Sequence, residues 1–140
     1  MLDELIVIRQ ATKDDFSHLS DLMNALGYET TIEDMQKRLE NILYHSDYKT
    51  FIASIGKQIV GMAGVTQNYS YEKNGKYVRV IALVTNSSFR QKGIAKRLMQ
   101  VVEDWAKEVG ASTVLVNCGN REERKLAHDF YRNIGYKIKS

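Results

Sequence analysis

Apolar positions along this chain switch repeatedly between a strand-like and a helix-like period. Leu5 to Arg9 reads as a buried strand, leading into Arg-Gln-Ala-Thr. Thr12 then fits an N-cap, with Asp14 in the first turn and Asp15 three positions on. Phe16, Leu19, Leu22, Met23 and Leu26 follow at helical spacing, and Gly27 is placed to stop that helix. A second amphipathic segment starts near Thr31, with Met35, Leu39, Ile42 and Leu43 on one face. Phe51 to Ile55 and Gln58 to Gln67 predict a hairpin around Gly56-Lys57. Tyr69 to Asn74 is a polar, aromatic connection in which Asn74-Gly75 signals a turn, and Tyr77 to Thr85 is the central strand. A helix over Ala95 to Val109 puts Leu98, Val101, Val102 and Trp105 inward and closes at Gly110. Thr113 to Asn117 is a fully apolar strand, a last helix runs from about Arg121 to Ile134, and Gly135 leads into Tyr136 to Lys139. The order is βαα-βββ-αβ-αβ, an α/β sandwich with a strand–helix–strand crossover in its second half.

Composition narrows the class. The 140 residues suit one domain, 1–140, with a single core, and neither repeats nor low-complexity tracts divide them. Apolar content of 44% and charged content of 26% are those of a globular protein. No apolar run approaches the ~20 residues that span a bilayer, so no membrane partner is expected. The acidic start, Met1-Leu2-Asp3-Glu4, lacks the basic region of a secretory signal. The single cysteine, Cys118, rules out an internal disulfide and suits a reducing cytoplasm. The net charge of +3 is spread along the chain, which argues against a nucleic-acid face. The exception is local. Arg90 to Arg97 holds no acidic residue, and it follows the central strand at the opening of a helix. First-turn amides lack partners inside a helix and the macrodipole is positive there, so an anion is favoured at such a mouth. Gly93 lets it approach the backbone, while Arg90, Lys92 and Lys96 add charge. This is the construction of a pyrophosphate site. It is neither a Walker loop, since no Gly-Lys-Ser/Thr closes it, nor the three-glycine dinucleotide fingerprint.

The Arg90-x-x-Gly93-x-Ala95 segment is followed by Arg124-x-x-Ala127-His128-x-Phe130-Tyr131-x-x-x-Gly135-Tyr136. This pair of motifs, in this order, resembles the GCN5-related N-acetyltransferase (GNAT) superfamily. The opening Ile8-Arg9-Gln10-Ala11-Thr12-x-x-Asp15 is similar to that family's first strand and turn. The resemblance implies a mixed, mostly antiparallel central sheet with helices on both faces and a short C-terminal strand region. It implies acetyl-CoA as acyl donor, a primary amine (small molecule or protein) as acceptor, direct transfer in a ternary complex, and no metal. By similarity, backbone at Leu83, Val84 and Thr85 pairs with the pantetheine arm, and the amides of Gln91, Lys92, Gly93, Ile94, Ala95 and Lys96 hold the pyrophosphate. Charge-assisted hydrogen bonds of roughly 1.5–3 kcal/mol each make such an anchor effective. Tyr131 is placed to donate a proton to the departing thiolate. Arg124 stands where many relatives carry an Asn that contacts the coenzyme, and Asn120 is the nearest substitute.

Two departures from the family pattern stand out. Many relatives place a glutamate on the central strand to take the amine's proton, and here that region reads Arg79-Val80-Ile81-Ala82. A lysine-like amine of pKa about 10.4 is neutral in only ~1 in 2,500 molecules at pH 7, a barrier near 4.6 kcal/mol. Glu72, His128 and Glu29 are the candidate bases, and a water chain or an acceptor of low pKa are the alternatives. Cys118 has no identifiable activating base and reads as a buried thiol rather than an acetyl carrier. Tyr69, Tyr71 and Tyr77 fit either an acceptor pocket or strand-edge aromatics. The second departure is that only five residues follow Gly135, room for one short strand. An open acceptor side, or one completed by a second subunit in a homodimer, is the expectation. The alternative function is a catalytically inactive, CoA-binding regulatory domain.

Overall fold

The computed structural model describes residues 5–72, 74–86, 89, 93–117 and 137–139, the last as backbone only. Ten elements follow the expected alternation: β1 (Ile6–Gln10), a 3-10 turn (Lys13–Asp15), α1 (Phe16–Leu26), α2 (Ile32–Tyr44), β2 (Tyr48–Ile55), β3 (Gln58–Tyr69), β4 (Lys76–Thr85), α3 (Ile94–Glu108), β5 (Ala111–Asn117) and β6 (Lys137–Lys139). The helix expected over 121–134 lies outside the described residues.

Local chemistry explains the boundaries. The Thr12 and Asp15 side chains close a reciprocal capping box at the start of the 3-10 turn. Thr31 caps α2 by accepting the Asp34 amide at 3.0 Å. Gly27 ends α1 at φ 103° and Gly110 follows α3 at φ 82°, conformations that cost a side-chain-bearing residue.

The six strands lie in sequence order in one sheet. β1 to β4 are mutually antiparallel, whereas β5 runs parallel to β4 and β6 parallel to β5. This is the mixed, mostly antiparallel sheet implied by the resemblance, and its two faces carry separate cores. On one face Ile94, Leu98, Met99, Val102 and Trp105 of α3 pack on Phe51, Ala63, Val65, Val78, Val80 and Val116. On the other, Leu19 and Leu22 of α1 and Met35 and Leu39 of α2 pack on Ile52, Met62 and Val84. Side chains alternate across a strand, so each central strand serves both cores at once.

Three expectations change. The first strand is covered on one face only: Ile6 and Ile8 pack on the α3 core, whereas Val7 on the other face is 46% exposed and Leu5, ahead of the strand, 75% exposed. Leu43 is exposed at the end of α2, so the apolar stripe there ends at half-buried Ile42. The Thr113 to Asn117 segment is half-covered, with Val116 alone buried among its described side chains.

Candidate active site

The site is built on the way β4 leaves its neighbour. β4 pairs with β5 from Lys76↔Ala111 to Val80↔Val116, and Ile81 to Thr85 have no further partner on that side among the described residues. On its other side, β4 stays paired with β3 as far as Gly61↔Thr85. The register there jumps from Gly64↔Ala82 to Val65↔Val80, so Ile81 is the extra residue of a β-bulge. A bulge bends and twists its strand, which is how a sheet splays locally without breaking. It also re-phases the side chains. Val78 and Val80 join the α3 core, and after Ile81 it is Leu83 that does so, while Ala82 and Val84 turn to the opposite face. Ile81 itself is 46% exposed. Leu83, Val84 and Thr85 thus present one edge of backbone outward while their other edge is held by β3.

That edge runs towards α3. The Asn86 amide donates to the Val60 carbonyl at 2.8 Å, and the Phe89 amide to the Asn86 carbonyl at 2.9 Å, a tight turn packed on the α3 core. Gly93 is the N-cap of α3 at φ 79°, in the left-handed region, and as a glycine it has no side chain of its own to cap the helix. A Cβ at Gly93 would meet nothing within 4 Å, so open space lies over the helix mouth. The Gly93 carbonyl accepts from the Arg97 amide at 3.0 Å, which leaves the Ile94, Ala95 and Lys96 amides as first-turn donors with no intrahelical acceptor. Their side chains divide the labour: Ile94 is buried, anchoring the turn, Ala95 is half-buried and Lys96 is exposed. Arg97 is committed elsewhere, its Nη2 donating to the Ile6 carbonyl at 3.2 Å and fastening α3 to the β1 edge. Gly61 makes the fit possible: a Cβ there would lie 3.0 Å from both Ile94 Cγ2 and the Val84 carbonyl. Arg90, Gln91 and Lys92, expected in the same loop, lie outside the described residues.

The remaining candidates are dispersed. Glu72 is exposed in the turn before β4, and its amide donates to the Ser70 hydroxyl at 3.1 Å. At ~3.3 Å per strand residue, the start of β4 at Lys76 is roughly 13 Å from Val80, the last β4 residue paired with β5 among the described residues, so Glu72 precedes the strand on that side and not on the Thr85 side. Glu29 is exposed in the α1–α2 loop, beside a shallow depression of about 480 Å³ that Asn24, Thr30, Thr31 and Asp34 also line. That loop is fixed by Asn24, whose Oδ1 accepts the Thr30 amide at 2.8 Å. Tyr69 and Tyr71 are exposed, whereas Tyr77 is half-buried. Tyr131, His128, Asn120, Arg124 and Cys118 lie outside the described residues. Among the described residues no group of three His, Cys, Asp or Glu could hold a metal ion. No helix among them is long and apolar enough to cross a membrane.

Sequence patterning did not single out the bulge at Ile81, the close approach at Gly61 or the placement of Arg79. The first had a visible trace, because Val80 to Val84 is apolar at consecutive positions where one alternating face was expected.

Among the described residues, β4 is unpaired on its β5 side beyond Val80 and runs to a helix opened by Gly93, and the similarities to known proteins say which family uses such a scaffold. The model of the acetyltransferase (GNAT) family matches residues 10–136, and the chain belongs to that family. A Bacillus subtilis (strain 168) protein described as an uncharacterized N-acetyltransferase, YhdJ, is 30% identical over 97% of this chain and 95% of its own. The crystal structure of a GNAT family acetyltransferase from Staphylococcus aureus superposes with a TM-score of 0.80 at 33% identity, covering 96% of this chain and 93% of that one. The aminoglycoside N-acetyltransferase AAC(6')-Iy, solved in complex with CoA, shares the fold at a TM-score of 0.86 and 21% identity, covering 99% of this chain and 92% of that one.

Proposed function

We propose that this protein is an acetyl-CoA-dependent N-acetyltransferase that transfers the acetyl group directly to a primary amine within a ternary complex. The observation that carries the reading is the free edge of β4 beyond Val80, continuous with the open mouth of α3 at Gly93. A pantetheine arm, whose amides pair like a strand, fits the edge at Leu83, Val84 and Thr85. A pyrophosphate fits the donors from Gln91 to Lys96, with Arg90 adding charge. The complexes of AAC(6')-Iy with CoA support the same assignment by shared fold.

Acetyl-CoA supplies a thioester, so a C–N bond forms to the acceptor, the C–S bond breaks and a thiolate departs. In this reading Tyr131 donates its phenolic proton to that thiolate. Asn120 and Arg124 contact the coenzyme from the same segment. The proton leaving the amine passes through water, to His128 or to Glu72, which precedes β4 at the end away from Gly93. A single 1–140 domain, a reducing cytoplasmic setting and a homodimer complete the proposal.

The test is release of free thiol from acetyl-CoA in the presence of a panel of amines, alongside calorimetry of acetyl-CoA binding. Turnover that falls in Tyr131→Phe supports the proposal. Binding without turnover, unchanged by Tyr131→Phe, assigns the chain instead to a CoA-binding regulatory domain. Absence of binding overturns both.

A further inference from the structure

On β4, the position just before the strands part is occupied by a cation. Arg79 is the penultimate residue of the β4–β5 pairing, opposite Leu115, and on its other side it faces Thr66 of β3. Val78 and Val80 point to the α3 core, so Arg79 lies on the opposite face, where Ile52, Met62 and Val84 carry the cover of α1 and α2. The registers lay that face out in rows. Ile52, Met62 and Val84 form one row, Thr50, Gly64 and Ala82 the next, and Tyr48, Thr66 and Arg79 the one after. The helical cover reaches Ala82, so Arg79 sits in the first row beyond it.

Three observations mark this arginine as awaiting an anion. Its Nε is buried and has no hydrogen-bond partner. It belongs to neither ion pair formed between described residues. None of its cross-strand neighbours is acidic: Thr66, Tyr48 and Leu115 are neutral, and so is Asn68, whose Nδ2 is spent on Thr66 Oγ1 at 3.0 Å. Its guanidinium is also held in place, with Cζ 5.8 Å from the centroid of the Tyr77 ring. A stacked fork with a buried, unmet donor matches a planar carboxylate or a phosphate better than a solvated surface charge.

Resting on the reading given under Proposed function, we infer that Arg79 recognises an anionic group on the acceptor, so the substrate is a small primary amine that also carries a carboxylate or a phosphate. Pyrophosphate at Gly93 and pantetheine along Thr85 to Leu83 direct the acyl end towards the apex at Val80, one residue from Arg79. An amine at the apex leaves the rest of a small acceptor over the Arg79 row. The stretch Arg79 to Ala82, which lacks the carboxylate many relatives carry on this strand, then serves binding and not proton removal.

Calorimetric titration of the CoA-saturated protein with two matched pairs of amines tests the inference. Glucosamine 6-phosphate against glucosamine probes a phosphate, and L-alanine against L-alaninamide probes a carboxylate. The charged member of at least one pair is expected to bind 10-fold or more tighter than its neutral partner. Arg79→Gln should remove that preference, Arg79→Lys should restore part of it, and the affinity for CoA should stay unchanged in both. Equal or tighter binding of the neutral members, or no binding of any of the four, overturns the inference while leaving the acetyltransferase reading intact. A uniform loss across charged and neutral members in Arg79→Gln overturns it too. Failure of CoA itself to bind takes down the underlying reading as well. The comparison in the unaltered protein decides the matter even if Arg79→Gln does not fold.

Discussion

Val80 pairs with Val116 in the last rung that joins β4 to β5 among the described residues, and one residue later Ile81 bulges out of the ladder with β3. The two events are coupled. Had β4 continued without the extra residue, the alternation set by Val78 and Val80 would have sent Ala82 rather than Leu83 to the α3 core. The bulge lets the strand bend away from β5 while Leu83 and Val84 still fill the two cores. The binding edge is therefore stabilised by apolar burial on both faces and left open only along its hydrogen-bonding side. Side-chain identity on this edge answers to packing.

Gly93→Glu should abolish coenzyme binding while the circular dichroism spectrum stays that of the wild type. The site has room for a side chain, so bulk alone does not unfold it; the carboxylate instead places negative charge among the donors a pyrophosphate needs. The φ of 79° adds a strain of roughly 1–2 kcal/mol for most side chains. Gly93→Asn separates the effects, because asparagine tolerates the left-handed region and carries no charge. It should fold, and bind more weakly than the wild type without losing binding. Calorimetry with acetyl-CoA measures both, and full affinity in Gly93→Glu would remove the helix mouth from the site.

How much of this was readable beforehand depends on how local each signal is. Thr12 and Asp15 lie three positions apart, so their capping box was written in the chain and forms as expected. The stops at Gly27 and Gly110 and the hairpin at Gly56 are equally local. The helix mouth at Gly93 was legible because strand, glycine and basic helix start are contiguous. The stretch Arg79 to Ala82 was noticed for lacking a carboxylate, but the unmet donor of Arg79 depends on what β3 and β5 place beside it. The bulge at Ile81 is a property of register between two strands. Val7 looked buried because its run is apolar, whereas its exposure follows from the face it occupies, opposite to the one on which Ile6 and Ile8 meet the α3 core.

Gly61→Ala should damage binding from the far side of β3. The new methyl would lie 3.0 Å from the Val84 carbonyl and Ile94 Cγ2, and 3.3 Å from Leu98 Cδ1. The Leu98 tip can rotate away and the Ile94 contact can be relieved by lifting α3 at its first turn, but the Val84 carbonyl is held in the ladder and can move only with β4. A destabilisation of about 1–3 kcal/mol is expected, read from denaturant unfolding. Weaker coenzyme binding should accompany it, since the Ile94 amide moves with the helix. Wild-type stability and affinity together would show that the approach is looser than the geometry states.

Tyr131→Phe should lower kcat by 10-fold or more with little change in the KM for acetyl-CoA. A thiol of pKa near 8.5 is a fair leaving group, so assistance from a general acid belongs at the low end of the usual range of ~10²–10⁴. The loss should shrink as pH rises towards the thiol pKa, where a thiolate departs without a proton. Steady-state kinetics between pH 6.5 and 9 provide the check. An unchanged kcat would transfer the role to solvent.

Asp15→Asn tests the one buried carboxylate whose titration the fold visibly controls. Burial alone would push its pKa up. That is overcome by the Arg9 fork, with Nη1–Oδ2 and Nη2–Oδ1 both at 3.0 Å, and by the Thr12 amide at 2.7 Å, so the net shift is downward. A folded pKa below the unfolded value of about 3.9 means that ionised Asp15 favours the native state at all higher pH. That contribution fades as pH falls below about 4 and through the folded pKa. Arg9 is half exposed, which screens the pair, so most of the effect comes from the capping box, and ~1–2 kcal/mol is expected at pH 7. Asparagine keeps the size and an acceptor oxygen but not the charge. Thermal unfolding of both proteins from pH 7 to pH 3 should show a Tm gap that is widest at neutral pH and narrows in acid. A gap that stays constant across this range would mean that the loss comes from packing and not from the ionised carboxylate.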